Sequence, residues 1–225
     1  SKSFETLFLH YCKHMRWEDF RTFHVENLRY LDVSDCGFVD DALITKLSTE
    51  SATLTYLDVS GTAITGLWEK GLVTTQPFKA PHLETFKAKN CPQFKGWKLA
   101  TPALTLMETP LLSFDGTGLT GSTQATGHKV IKPYYLKQLL TVNAFTNIQA
   151  FKAKDCSFNS SHAKPLSSLT NLTTLNLPVN EIGSKGVQHL KGLTQLTTLN
   201  LHGNKIGSQG AQYISELTQL TTLSL

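Results

Sequence analysis

Four cysteines and eight histidines are the side chains in this 225-residue chain best suited to covalent or metal chemistry. A cysteine nucleophile needs a nearby histidine and a lowered pKa. A structural zinc needs paired cysteines or histidines a few residues apart. Cys12, Cys36, Cys91 and Cys156 stand far apart, with no C-x-x-C between them. His14, His24, His128, His162 and His189 are scattered between the apolar runs. The chain also lacks a G-x-S-x-G turn, a phosphate loop and a dinucleotide fingerprint. No catalytic residue, metal or cofactor is therefore assigned, and the chain is expected not to be an enzyme.

The cysteines share something else. Each occupies the same place in a repeated frame, L-x-x-L-x-L-x-x-N/C. The frame is plainest where Leu172-Thr-Thr-Leu175-Asn-Leu177-Pro-Val-Asn180 recurs as Leu196-Thr-Thr-Leu199-Asn-Leu201-His-Gly-Asn204, 24 residues on, and begins again at Leu220. Backwards it runs through Ile148, Phe151, Ala153 and Cys156, then Leu83, Phe86, Ala88 and Cys91. Further copies use Leu54, Leu57, Val59 and Thr62, then Leu28, Leu31, Val33 and Cys36, then Phe4, Leu7, Leu9 and Cys12. A weaker copy is read on Leu112, Phe114 and Thr117, giving nine turns with the last incomplete. The L-x-L pair is a short strand with two side chains inward, and the Asn, Cys or Thr turns inward to bond backbone groups between turns. One turn cannot bury its own apolar face, so the turns must stack.

This frame resembles the leucine-rich-repeat superfamily over nearly the whole chain. The N-x-I-G-x-x-G-x-x-x-L segments from Asn180 and Asn204 are similar to the ribonuclease-inhibitor-like subclass, and their short period to the GALA-type repeats of bacterial effectors. Leu31-Asp-Val33-Ser-Asp-Cys36 with Asp40-Asp-Ala-Leu43 resembles the cysteine-containing repeats found beside F-boxes. The resemblance implies an α/β solenoid, a horseshoe with a concave parallel sheet of about nine short strands and helices or irregular turns on the convex side. It is expected to form one domain over residues 1–225.

Two spacings are long: 29 residues from Leu57 to Phe86 and 39 from Leu112 to Phe151. The second places an insertion within Gly118 to Asn147, a loop at Gly121 to Gly127 and then a helix at Tyr134 to Leu140. In the last return segment, Ser208 is expected to cap a helix whose inward face is Ala211, Ile214 and Leu217. Trp17, Trp68 and Trp97 fall in return segments and are expected to fill the core. The four cysteines read as reduced packing residues; a Cys12–Cys36 bridge between adjacent turns is conceivable but poorly directed. That favours a reducing compartment.

Alternation along each strand assigns the concave face. Its amino-terminal end carries Phe8, Tyr30, Asp32, Tyr56 and Asp58. Its centre carries Lys87, Lys89, Asp115, Lys152 and Lys154, with Leu111, Ser113 and Asp115 read as the three outward positions of the weak turn. Thr and Asn fill the carboxy-terminal end. Aromatics flanked by charge suit a protein partner, and nine strands span roughly 40 Å. A net charge of +4, with carboxylates among the lysines, makes nucleic acid a poor partner. No run is long and apolar enough to cross a bilayer.

The first reading is a protein-binding scaffold, implied by the resemblance to be a bacterial effector acting in a host cell, cytoplasmic there. One alternative is the substrate-recognition part of a ubiquitin-ligase-type enzyme or adaptor whose F-box or catalytic segment is missing here. A second is an anionic-ligand or nucleic-acid binder through the lysines. Leu225 falls in mid-repeat, so the chain is expected to be a monomeric fragment of a longer protein, with any self-association through that end an artefact of truncation.

Overall fold

The computed structural model describes residues 3–64, 80–91, 113–115 and 147–225. The strands β1 (Thr6–Phe8), β2 (Tyr30–Asp32), β3 (Tyr56–Asp58), β4 (Thr85–Lys87), β5 (Ser113–Asp115), β6 (Ala150–Lys152), β7 (Thr174–Asn176), β8 (Thr198–Asn200) and β9 (Thr222–Ser224) form one parallel sheet in sequence order. Each strand is three residues long because only the middle side chain of the triplet points into the core. Leu31, Leu57, Phe86, Phe151, Leu175 and Leu199 are fully buried there. Burying each removes apolar surface worth about 1.5–3 kcal/mol.

Return segments carry α1 (Trp17–Phe20), α2 (Asp41–Glu50), α3 (Ser160–Leu166), α4 (Gly183–Leu190) and α5 (Gly207–Ile214). Asp40 caps α2 by accepting from the Ala42 amide at 2.9 Å, and Asn159 caps α3 through the Ser161 amide at 3.0 Å. The reciprocal bond at α3 comes from His162, wholly buried, whose Nδ1 accepts from the Asn159 amide at 3.0 Å. It fills the place Glu or Gln takes in a capping box.

The expected cap at Ser208 is replaced by something else. No side chain caps α5; its first turn is set by Gly207, whose φ of 65° suits glycine, as does 62° at Gly183 in α4. Its inward face is Gly210 with Ile214 and Leu217, while Ala211 is exposed. Glycine is required there by close approach. A Cβ on Gly186, the equivalent in α4, would lie 2.5 Å from Ile182 Cγ2 and 3.1 Å from Ser160 Cα of the preceding helix.

Turn-to-turn bonding is polar and repetitive. Asn180 accepts from the Cys156 and Phe158 amides at 3.0 and 2.9 Å and donates to the carbonyls of Ala153, Leu177 and Pro178. Asn204 accepts from the Ile182 amide at 3.1 Å and donates to Leu177 and Leu201 carbonyls. Cys36 and Cys91 do part of the same work, their thiols donating to the carbonyls of Leu9 at 2.7 Å and Val59 at 3.1 Å in the preceding turn and in β3's own turn. Just before this inward residue the chain turns left-handed in every described copy: Tyr11, Asp35, Gly61, Asn90, Asp155, Val179 and Gly203 all have φ between 52° and 71°. The first Thr of each L-T-T-L is structural too. Thr173, Thr197 and Thr221 hydroxyls donate at 3.1 Å to the carbonyls of Gln149, Thr173 and Thr197 one turn back.

One register differs from expectation. Phe114 lies opposite Phe86 and Phe151, in the place assigned to Leu112. Leu111-x-x-Phe114 fits the frame as well as Leu112-x-Phe114 does, and a slip of two keeps every side chain on its face, so alternation could not separate them. The spacing of 39 residues to Phe151 shortens to 37, that from Phe86 lengthens from 26 to 28, and the 29 from Leu57 to Phe86 stands. The loop and helix expected between Gly118 and Asn147, together with Trp68, Trp97 and His128, lie outside the described residues. Trp17 is half-buried against the core, stacked on Phe20 at 5.8 Å.

Candidate functional site on the concave face

The sheet sets two outward columns. One runs Thr6, Tyr30, Tyr56, Thr85, Ser113, Ala150, Thr174, Thr198 and Thr222; the other runs Phe8, Asp32, Asp58, Lys87, Asp115, Lys152, Asn176, Asn200 and Ser224. The register correction moves Ser113 into the first column and Asp115 into the second, between Lys87 and Lys152. Lys89 and Lys154 belong to the next outward position, beyond the strand ends.

The amino-terminal aromatics form a stack. Phe8 and Tyr30 rings are 4.8 Å apart and tilted by 46°, and Tyr30 lies flat on Tyr56 at 3.9 Å with 6° between planes. Lys87 closes the far end, its Nζ 4.8 Å from the Tyr56 ring centroid and donating to the Tyr56 hydroxyl. The near end is open: Phe8 is 63% exposed, and Tyr11 at the adjoining turn 56%. Tyr11 was not legible as a surface aromatic, because its left-handed φ of 61° turns it out of the alternating pattern.

The charges meet in pairs. Lys87 Nζ lies 3.8 Å from Asp58 Oδ2, and Lys89 Nζ 3.5 Å from Asp115 Oδ2. Both carboxylates are buried, at 8% and 7% exposure, beneath their lysines. Asp58 also accepts from the Ser60 amide at 3.0 Å, as Asp32 does from the Ser34 amide. Burial first, then the neighbouring Tyr56 hydroxyl, pushes the Tyr30 phenol up to about 12, and burial raises Tyr56 as well.

Ser34 Oγ stands 2.7 Å from His10 Nδ1, a distance a nucleophile and base would share. Its proton goes instead to Asp32 Oδ1, and the serine is 6% exposed, so the hydroxyl is held by a carboxylate and shielded from substrate. His10 and Ser34 share the outward position after the strand on adjacent turns. Burial also raises the thiol pKa of Cys36 and Cys91, the opposite of what a nucleophile needs. All four cysteines are free thiols, with Cys12 half-buried on the edge turn. Among the described residues no group of three His, Cys, Asp or Glu is placed to hold a metal, and no helix is long and apolar enough to cross a membrane. Away from the concave face, an open cavity of about 360 Å³ is lined by Arg29, Thr53, Thr55, Pro81, His82 and Glu84.

Four stretches of the chain, residues 26–44, 50–67, 168–191 and 192–215, match the family model described as leucine-rich repeat. Those four stretches are leucine-rich repeats. Among solved structures this leucine-rich-repeat chain is similar to internalin C2 of Listeria monocytogenes, at 20% identity over 98% of this chain and 80% of that one, with a TM-score of 0.62. At that identity the likeness is one of fold. A second Listeria monocytogenes internalin, inlF, matches over 97% of this chain and 79% of its own at 18% identity and a TM-score of 0.30. No curated protein matches the chain.

Proposed function

We propose that this leucine-rich-repeat chain is a protein-binding scaffold whose concave face, from Phe8 to Lys154, holds a partner protein, and that it acts as a bacterial effector in the cytoplasm of a host cell. The observation that carries the binding reading is the aromatic stack of Phe8, Tyr30 and Tyr56, open at Phe8 and flanked by ordered charges. Pre-stacked rings lose little side-chain freedom on binding, which is what an interface anchor requires. The leucine-rich-repeat fold supports a scaffold, and the GALA-type spacing supports a bacterial effector. The buried thiols, each bonded to backbone carbonyls, suit a reducing compartment.

The pairing of Lys87 and Lys89 with Asp58 and Asp115 favours a protein over a polyanion. Lys87 and Lys89 are already neutralised, which lowers the counter-ion release available to drive binding to phosphates.

The test is capture from eukaryotic cell lysate by the chain and by Phe8→Ala/Lys152→Glu, whose residues are exposed or half-buried, so both should melt together. A partner held by the first and lost by the second supports the concave face. Capture that is equal for both overturns it. A tagged chain expressed during infection and found only in the bacterium would overturn the effector reading alone.

A further inference from the structure

Tyr-Leu-Asp occurs twice, at Tyr30–Asp32 and Tyr56–Asp58, on adjacent strands and in register. The two copies are filled differently. In the second, Lys87 lies over the Tyr56 ring, bonds its hydroxyl and pairs with Asp58 Oδ2. That lysine reaches from the next strand, where it stands opposite Asp58. In the first copy the residue opposite Asp32 on the next strand is Asp58, a second carboxylate. Asp32 accepts from the Ser34 amide and hydroxyl, both at Oδ1. Among the described residues no cation pairs with it.

On the other side of Asp32, in register on β1, is Phe8, its ring 63% exposed and leaning on Tyr30. Asp35 lies beyond it, 3.9 Å from His10. This end of the face therefore sets three carboxylates, Asp32, Asp35 and Asp58, against Lys87, a histidine and Lys13, whose Nζ lies 4.2 Å from the Tyr11 ring. The surplus is negative, and it adjoins an open aromatic ring.

We propose that the corner formed by Phe8, Tyr30 and Asp32 receives a lysine or arginine side chain of the partner protein, in the role Lys87 plays for Tyr56 and Asp58. The incoming cation pairs with Asp32 Oδ2, which the serine leaves untouched, and lays its alkyl stem or guanidinium plane against Phe8. Tyr30 is covered on both faces and holds Phe8 in place. A phosphate-bearing ligand is disfavoured here by the same carboxylates. The proposal rests on the concave-face reading and adds the chemistry of the partner's anchor.

The experiment selects linear heptapeptides from a random display library on the whole chain, then measures the selected peptides against variants. Selected peptides should carry a Lys or Arg whose replacement by norleucine abolishes binding. Asp32→Asn keeps Oδ1 for Ser34, so the turn stays intact by circular dichroism while affinity falls at least tenfold. Lys87→Ala empties the twin corner and should raise affinity for the same peptides about threefold or more. Peptides that lack a basic residue, or that bind Asp32→Asn within twofold of the parent, overturn the inference. If those peptides still depend on Phe8 and Lys152, the concave-face reading survives. If binding ignores every concave substitution, or no peptide is selected, both fall.

Discussion

Asn180 and Asn204 in the carboxy-terminal turns each serve backbone groups on both sides of the interval between repeats, Asn180 reaching five of them. The amino-terminal turns put Cys36, Thr62 and Cys91 in the same place, where each side chain mainly satisfies a single nearby carbonyl. Their concave faces differ in the opposite sense. β7 to β9 present an unbroken column of Thr beside Asn176, Asn200 and Ser224, while β1 to β4 present stacked rings and paired charges. Cohesion between turns and recognition by the face are thus carried by different positions of one repeat. Each can vary without the other, because inward and outward side chains of a strand do not touch.

The largest expected effect separates the two ends directly. Asn180→Ala removes the acceptor of the Cys156 and Phe158 amides and the donor to the Ala153 carbonyl, while Leu177 keeps Asn204 and Pro178 keeps the Asp155 amide, and should cost about 3 kcal/mol. Cys36→Ala removes one weak donor and a small volume, and should cost about 1 kcal/mol. Urea unfolding of both variants measures the gap, and equal losses would break the comparison. Helix packing gives a second contrast. Gly186→Ala forces Ile182 and the Ser160 backbone apart and should cost about 1–3 kcal/mol. Gly37→Ala in the amino-terminal half, where an added Cβ meets nothing within 4 Å, should stay within about 0.5 kcal/mol.

The aromatic end should also carry an alkaline signature. Tyr30 titrates at about 12 against an ordinary 10, so the fold favours the protonated phenol. That contribution is complete below pH 10 and is lost as pH rises from 10 towards 12. Absorbance titration of the phenolate should show the late transition, and Tyr30→Phe should remove it together with part of the alkaline loss of stability. The last effect is a gain. Val179 is a β-branched residue at the left-handed position, φ 56°, where other copies have Asp, Asn, Tyr or Gly. Val179→Asn should raise stability by about 1 kcal/mol, read as a higher melting temperature. No gain would mean that the turn bears no strain.

Much of the repeat was legible without coordinates. The 24-residue period, the buried middle of β2 to β4 and of β6 to β8, and the inward role of Asn180, Asn204, Cys36, Cys91 and Cys156 follow from a spacing that only stacked turns can satisfy. Alternation also put Phe8, Tyr30, Asp32, Tyr56, Asp58 and Lys87 on one face, as found. It left the register open where two frames fit equally, at Leu111 to Phe114, and the helix-cap and helical-face readings failed at Ser208 and Ala211, where local geometry outweighed side-chain preference.

Sequence alone determined which residues share a face, because the period-two strand and the fixed repeat leave no freedom there. Only the tertiary structure decided which of them meet. Lys87 pairs with Asp58 and Lys89 with Asp115, while Asp32 is left to Ser34, because register slides each strand to one set of neighbours. The choice of Gly186 and Gly210 was likewise made by packing, where Ile182 and Ile206 four residues back would lie 2.5 and 2.4 Å from an added Cβ and the preceding helix's Ser160 and Ser184 Cα atoms 3.1 and 3.4 Å. Contacts across turns depend on strand spacing and side-chain reach, and neither is written in the order of residues along a single turn.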